Sequence, residues 1–151
     1  RVLEALDGLA VTHVGHVADG FFDRMPGTVT FMGERPFDEC VSLMKRSRLA
    51  LNSVSVFPEG SHERIWYGMA AGTAVVTDAS TFVGEDFTDG ENILFWPSDQ
   101  ADSALMVADA LADPGRLDKM AAAATPLYAA KHTWASRAGI IDQAMNGAPI
   151  I

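Results

Sequence analysis

Apolar residues in this 151-residue chain form short blocks that alternate with longer segments in which they recur every three or four positions. Blocks rich in β-branched and aromatic residues are typical of strands, and the three-to-four-residue spacing is typical of helices. The blocks predict strands at 9–14, 28–32, 49–56, 73–77 and 93–96. The spacing predicts a helix tail at 1–7, a helix from Pro36, and helices at 61–71, 82–87, 99–112, 116–131 and 134–145.

Strands that alternate with helices in this way predict an α/β fold, a Rossmann-like parallel sheet flanked by helices. No linker or internal repeat interrupts the pattern, so we expect a single domain over 1–151, with C-terminal helices across 115–147. The helix tail at 1–7 has no strand before it, and the chain starts at Arg1 rather than at methionine. We therefore expect a fragment of a longer two-domain protein that lacks the first strand of its sheet.

The charge of the chain argues against polyanionic partners. Its formal net charge is −9, and its eleven lysines and arginines are scattered, so nucleic acid and anionic membranes are disfavoured. Cys40 is the single cysteine, which excludes an intrachain disulfide. No segment approaches the roughly 20 apolar residues of a membrane span, and no secretory signal opens the chain. These features predict a cytoplasmic protein.

The residues best suited to bind a ligand open the stretch 58–78, PEGSHERIWYGMAAGTAVVTD, which joins two predicted strands. A helix that follows a strand of a parallel sheet directs its unpaired N–H groups towards the ligand crevice. Gly60 permits close backbone approach, Ser61 can cap or donate, and His62 and Arg64 add cationic donors, which together suit a phosphate or diphosphate. The alternative is an ordinary capped helix whose histidine and arginine are solvated.

At this stretch the chain resembles the C-terminal half of the GT-B glycosyltransferases, and in particular their spore-maturation CgeB-like branch. The resemblance rests on GSHERIWYGMAAGTAVVTD and on three further segments in the family's order, which are VTFMGERPFDECVSLMKRSRLALN, DGENILFWPSD and HTWASRA. It runs from about Leu9 to Ala138. Each segment alone is weak evidence, whereas the ordered set is fairly specific.

The resemblance implies that this half binds a nucleotide-diphosphate sugar and that an N-terminal acceptor-binding domain of the same protein binds the acceptor hydroxyl. We therefore expect the donor-binding half of a glycosyltransferase, inactive as an isolated domain. The alternative is a non-catalytic nucleotide-binding or interaction module of the same fold. The GxGxxG fingerprint of dinucleotide-binding dehydrogenases is missing. The sequence calls for no cofactor.

The resemblance also assigns site residues. In the related retaining enzymes two glutamates with seven residues between them flank the diphosphate helix, and they correspond here to Glu59, the catalytic candidate, and Tyr67. Tyr67 offers one hydroxyl and no charge, so it cannot hold the ribose as a glutamate does, although Glu63 is a nearby carboxylate. The full set of expected substrate-binding residues is Gly33, Glu34, Asn52, Gly60, Ser61, His62, Glu63, Arg64 and Tyr67.

Some of these residues have plainer interpretations, and other signals carry little weight. Gly33 is equally explained as a turn residue, and Asn52 as a buried structural amide. His13 and His16 have no third ligand at a suitable spacing, so no metal site is expected. His132 and Trp134 are expected to hold the last helix against the sheet.

Overall fold

Short parallel strands alternate with helices along the chain, as the hydrophobic pattern predicts. The computed structural model describes residues 2–17, 20–53 and 59–147. The strands are β1 (Val11–His13), β2 (Val29–Phe31), β3 (Leu49–Leu51), β4 (Ala74–Thr77) and β5 (Leu94–Phe95). The helices are α1 (Phe37–Arg46), α2 (Glu63–Ala70), α3 (Thr81–Gly84), α4 (Ser103–Ala112), α5 (Pro114–Lys131) and α6 (Trp134–Met145).

The strands form two separate parallel sheets within the described residues, where the sequence predicts one. β1 pairs with β2, and β4 lies between β3 and β5 in a second, three-stranded sheet. β1 and β3 do not pair because a groove separates them, and residues of both strands line it. The predicted third strand is also shorter than expected: β3 ends at Leu51, and 54–56 lie outside the described residues.

β4 is the centre of the core because both of its faces are covered. All four of its residues are buried, as expected for a strand between two helical layers. Val76 packs in one apolar cluster with Val107 of α4, whereas Val75 packs in the other with Ile65 and Met69 of α2. The alternation of side chains along β4 thus holds α2 on one face of the sheet and α4 on the other.

Local capping sets the ends of the helices, and it corrects the predicted start of α2. The sequence predicts Ser61 as the first residue, but α2 begins at Glu63 because the His62 side chain accepts the hydrogen bond from the Arg64 amide. Asp113 caps α5 in the same way and Pro114 occupies its first turn, so that helix begins two residues earlier than predicted.

The two residues expected to hold the last helix behave differently. His132 is 6% exposed and stacks on Trp66 of α2, so its contact is with a helix rather than with the sheet. Trp134 is 70% exposed, so the expectation that it packs on the sheet is wrong. It is the first residue of α6, a helix with no buried residue.

Candidate functional site

A hydrogen-bonded network joins the carboxyl ends of β3, β4 and β5. Asn52, which follows β3 directly, is 3% exposed, and its Nδ2 donates to Thr77 Oγ1 at 2.9 Å. The Asn52 carbonyl accepts a hydrogen bond from Trp96 Nε1 at 2.6 Å. The three strand ends are therefore fixed against one another at the edge where open parallel sheets bind their ligands.

Arg64 connects this network to α2. Its Nη1 donates to Asn52 Oδ1 at 2.7 Å, so the amide of Asn52 is engaged at both ends. Arg64 is otherwise exposed and lines the groove between β1 and β3, beside Asn52 and Ser53. A guanidinium carries five donors, and the asparagine uses one of them. Asn52 thus holds the Arg64 guanidinium at the strand ends, and the remaining N–H donors of the guanidinium can bind an anion.

The amides at the start of α2 are only in part available to a ligand. The Arg64 amide donates to His62 Nδ1 at 3.1 Å, so for this group the interpretation as an ordinary capped helix is right. Burial and then the nearby Arg64 guanidinium lower the pKa of His62, which favours the neutral imidazole that a cap acceptor requires. His62 therefore acts here as a helix cap rather than as a cation.

The neutral state of this cap predicts a dependence of stability on pH. A His62 pKa below its usual 6.5 means that the unfolded chain binds more protons, so stability present above pH 6.5 is lost as pH falls through the folded pKa. Asparagine caps helices without titrating. We expect His62→Asn to lose less unfolding free energy than the unmodified chain between about pH 7 and about pH 5 in urea denaturation. Equal losses in the two proteins would contradict this role.

His13 lies at the opposite wall of the groove from Asn52 and carries an unsatisfied polar atom. Its Nδ1 is buried without a hydrogen-bond partner. Burial, and then the charge of Arg64, lower the pKa of His13. His13 and Arg64 both line the groove, so the end of β1 and the guanidinium held at the end of β3 face the same cavity.

Glu59 contacts the start of α3. Its carboxylate accepts a hydrogen bond from the hydroxyl of Thr81, the first residue of α3.

Gly33 follows β2 with φ +67°, and its carbonyl accepts from the Gly15 amide at 2.9 Å, so a turn role accounts for its conformation. The carbonyl of Glu34 accepts from the Arg35 side chain.

Three of the expected residues line a different cavity, which we call the aromatic pocket. This pocket of about 170 Å³ lies between α2 and the last two helices and is lined by Ser61, Glu63, Trp66, Tyr67, Tyr128, His132, Trp134 and Arg137. Tyr67 also packs edge-on against Phe37 of α1, with 4.9 Å between the ring centroids. The first turn of α2 thus separates these residues from Arg64, which faces the groove.

His132 closes the base of the aromatic pocket. It lies parallel to Trp66 at 4.2 Å between centroids, and its Nε2 is 3.0 Å from Asp86 Oδ2. Burial lowers the pKa of His132, although the hydrogen bond to Asp86 acts in the opposite direction. The Lys131 ammonium, which also contacts Asp86, lowers the pKa of that carboxyl. The cluster joins the end of α5 to the loop before β5, and the stacking of His132 on Trp66 packs it against α2.

The structure therefore brings together some of the predicted residues and separates others. Arg64 and Asn52 meet directly, with His62 capping the helix beside them, whereas Ser61, Glu63 and Tyr67 face the aromatic pocket. Two members of the strand-end network, Thr77 and Trp96, were not predicted as site residues. Neither was His13, which lies across the groove from Asn52. For Thr77 and Trp96 the position offered a signal, because each ends a predicted strand.

No group of three or more His, Cys, Asp or Glu side chains in 2–17, 20–53 and 59–147 could hold a metal ion. In the same part of the chain, no helix has both the length and the apolar character needed to cross a membrane.

Comparison with known proteins identifies the family. A family model described as glycosyl transferase-like matches residues 1–143. The chain belongs to this family. Among curated proteins, no match is found.

Solved structures of glycosyltransferases share the fold. Anabaena HepE in complex with UDP-glucose matches with a TM-score of 0.76 at 17% identity, over 97% of this chain and 44% of the HepE chain. Sucrose-phosphate synthase of Thermosynechococcus elongatus matches with a TM-score of 0.68 at 21% identity, over 83% of this chain and 30% of that one. The C-terminal domain of a glycosyl transferase group 1 family protein of Francisella tularensis matches with a TM-score of 0.58 at 19% identity, over 71% and 55%.

These likenesses confirm the predicted fold class, parallel sheets flanked by helices as in GT-B glycosyltransferases. At such low sequence identity, these structural matches show a shared fold and nothing beyond it. The chain also spans less than half the length of the HepE chain that it matches.

Proposed function

We propose that this chain is the donor-binding part of a CgeB-like glycosyltransferase that transfers a sugar from a nucleotide-diphosphate sugar to an acceptor hydroxyl. The observation that carries the proposal is the guanidinium of Arg64, held by Asn52 at the carboxyl ends of the parallel strands beside the start of α2. The family and the HepE complexes with UDP and UDP-glucose support the same ligand class. The acceptor would be bound by an N-terminal domain of the same protein.

In this proposal the chain acts through electrostatics. Arg64 holds the donor's diphosphate, with the amide of Gly60 in the turn before α2 as a second donor, and stabilises the charge that develops on it. The bond between the anomeric carbon and the diphosphate oxygen breaks, and its electron pair leaves with the nucleoside diphosphate. The acceptor oxygen forms the new bond and releases its proton. Glu59 would orient the hydroxyls of the donor sugar.

A non-catalytic module of the same fold is the second candidate, and two observations favour it. Tyr67 stands where the resemblance expects a glutamate, and its ring packs against Phe37. The Glu59 carboxylate is engaged by Thr81. A chain with these features could bind a nucleotide, or another protein, without transferring a sugar.

Ligand titration separates these candidates. We expect UDP, GDP, CDP or dTDP at a hundredfold excess over Kd to stabilise the protein by about 2.7 kcal/mol, measured by thermal unfolding. Uridine is the matched control, because it carries the base and ribose without the diphosphate. No shift with any of the four diphosphates would favour an interaction module. A protein that binds UDP but releases none from UDP-glucose, with its N-terminal domain present, would be a nucleotide-binding module.

A further inference from the structure

The proposed binding of the donor uses no side chain of the aromatic pocket. Those side chains lie between α2 and the last two helices, whereas Arg64 lines the groove. The pocket has a volume of about 170 Å³, which is below the roughly 300 Å³ of the smallest sites that hold drug-sized ligands. It therefore suits a single ring rather than a whole nucleotide, and its lining indicates the chemistry of that ring.

Two helices supply most of the lining, each from one face. Glu63 and Tyr67 of α2 are four residues apart, and Trp134 and Arg137 of α6 are three residues apart. Residues at these spacings lie on the same face of a helix. The Thr133 side chain caps α6, which fixes the direction of its first turn. The pocket is thus built between two opposed helix faces.

The base of the pocket is packed before any ligand binds. Trp66 is 5% exposed and lies parallel to His132, whose ring is held by Asp86. Arg137 is held as well, because its guanidinium carbon lies 5.3 Å from the centroid of the Trp66 ring. A site that is already ordered loses little conformational entropy when a ligand enters, which favours binding.

Two aromatic rings of the pocket are available to a ligand. Within the described residues, Tyr128 and Trp134 contact no other aromatic ring. Trp134 is 70% exposed, so most of its indole ring is open to solvent. The face of an aromatic ring is electron-rich and packs well against C–H groups, which carry a small positive charge. These rings therefore offer flat apolar surfaces with a polar tip.

Two charged side chains of the pocket lack a partner of opposite charge. In the described part of the chain, Glu63 forms no ion pair with a cation, and Arg137 forms none with a carboxylate. The Nη2 atom of Arg137 is also buried without a hydrogen-bond partner. An unsatisfied buried donor costs free energy, and a ligand oxygen that accepts from this guanidinium would offset that cost.

The opposite charges of Glu63 and Arg137 select against a charged ligand. An anion attracted by Arg137 would be repelled by Glu63, and a cation would meet the reverse conflict. A hydroxyl group avoids this conflict, because it can donate to a carboxylate and accept from a guanidinium. Hydrogen bonds of this kind, with one charged partner, are stronger than those between neutral groups. The pocket therefore favours a neutral ring with hydroxyls on its edge and C–H groups on its faces.

We propose that the aromatic pocket binds one neutral pyranose ring of a saccharide that is separate from the nucleotide sugar. A C–H face of the pyranose packs on Trp134, while Glu63 accepts from its hydroxyls and Arg137 donates to them. The binding is non-covalent. This assignment goes beyond the donor proposal and holds whether or not the chain transfers a sugar.

The fluorescence of Trp134 tests the proposal directly. The other two tryptophans, Trp66 and Trp96, are buried, so acrylamide quenches mainly Trp134. We expect at least one of the methyl pyranosides of glucose, galactose and mannose to protect Trp134 from acrylamide in a saturable manner, with a Kd of about 1–10 mM. The charged analogues, methyl glucuronide and methyl glucosaminide, should bind at least roughly tenfold more weakly than methyl glucoside.

Substitutions in the pocket should weaken saccharide binding without unfolding the chain. Isothermal titration with the best methyl pyranoside is expected to show at least a roughly tenfold loss for Trp134→Ala and for Glu63→Ala, whereas Trp134→Phe keeps a ring and should lose less. Leu105→Ala is the matched control, because Leu105 is 72% exposed on α4, across the sheet from α2. Thermal unfolding of each variant checks that it is folded.

Three results would overturn the proposal. The first is the absence of saturable binding of all three neutral methyl pyranosides up to about 100 mM. The second is an affinity for either charged analogue equal to that for methyl glucoside. The third is displacement of the pyranoside by uridine, which would assign the pocket to the nucleotide. Titration with UDP in parallel keeps the two proposals apart, since a protein that binds UDP but no pyranoside would refute the pocket assignment alone.

Discussion

Arg64→Ala is expected to weaken the binding of UDP by about 10- to 150-fold, or 1.5–3 kcal/mol, the range for hydrogen bonds to charged groups. The guanidinium is exposed to the groove, and one of its donors is fixed on Asn52, so the remaining donors are oriented before the ligand arrives. Binding should therefore lose both a charge and an organised contact. Isothermal titration with UDP measures the change.

The controls for this prediction separate binding from folding. Arg116→Ala removes a cation whose ion pair with Asp109 is exposed on the other helical layer, and it should leave UDP affinity unchanged. Arg64→Lys keeps the charge but loses the planar fork, so an intermediate affinity is expected. Thermal unfolding of each variant shows whether the Asn52 network survives. An Arg64→Ala protein that is folded and binds UDP as tightly as the unmodified chain would remove this residue from the proposed site.

The alternation of strands and helices could be predicted because each element carries its own periodic signal. All five strands lie within the predicted segments, and the long α5 follows from its spacing. The division into two sheets could not be predicted in this way, since the periodic signal of a strand does not say which other strands it pairs with.

The candidate site was predictable in part for a similar reason. The rule that ligands bind at strand ends, together with a helix that follows β3, pointed to Arg64 and to its surroundings. The same rule does not say which way each side chain of the first turn faces. Ser61 and Arg64 are only three residues apart, yet one lines the aromatic pocket and the other the groove. The capping role of His62 depended on the local backbone, which the sequence left open.

The position of Arg64 depends on how closely α2 approaches the sheet, and Gly68 sets that approach. A Cβ added at Gly68 would lie 2.8 Å from Val75 Cγ2 and 3.2 Å from the Ala50 Cβ. Val75 is 2% exposed and β-branched, so it has little freedom to move away. A larger side chain at this position must therefore push α2 away from β3 and β4, and the start of the helix would move with it.

Gly68→Val is expected to lower the unfolding free energy by about 3 kcal/mol, the upper part of the usual range for overpacking a core. Gly139→Val makes the same change within α6, at an exposed site with no atom within 4 Å of the added Cβ, so a change of less than about 0.5 kcal/mol is expected there. Urea denaturation measures both. Because the displaced helix carries Arg64, the folded Gly68→Val protein should also bind UDP more weakly, whereas Gly139→Val should not. Equal losses of stability in the two variants would show that α2 can retreat from the sheet at little cost.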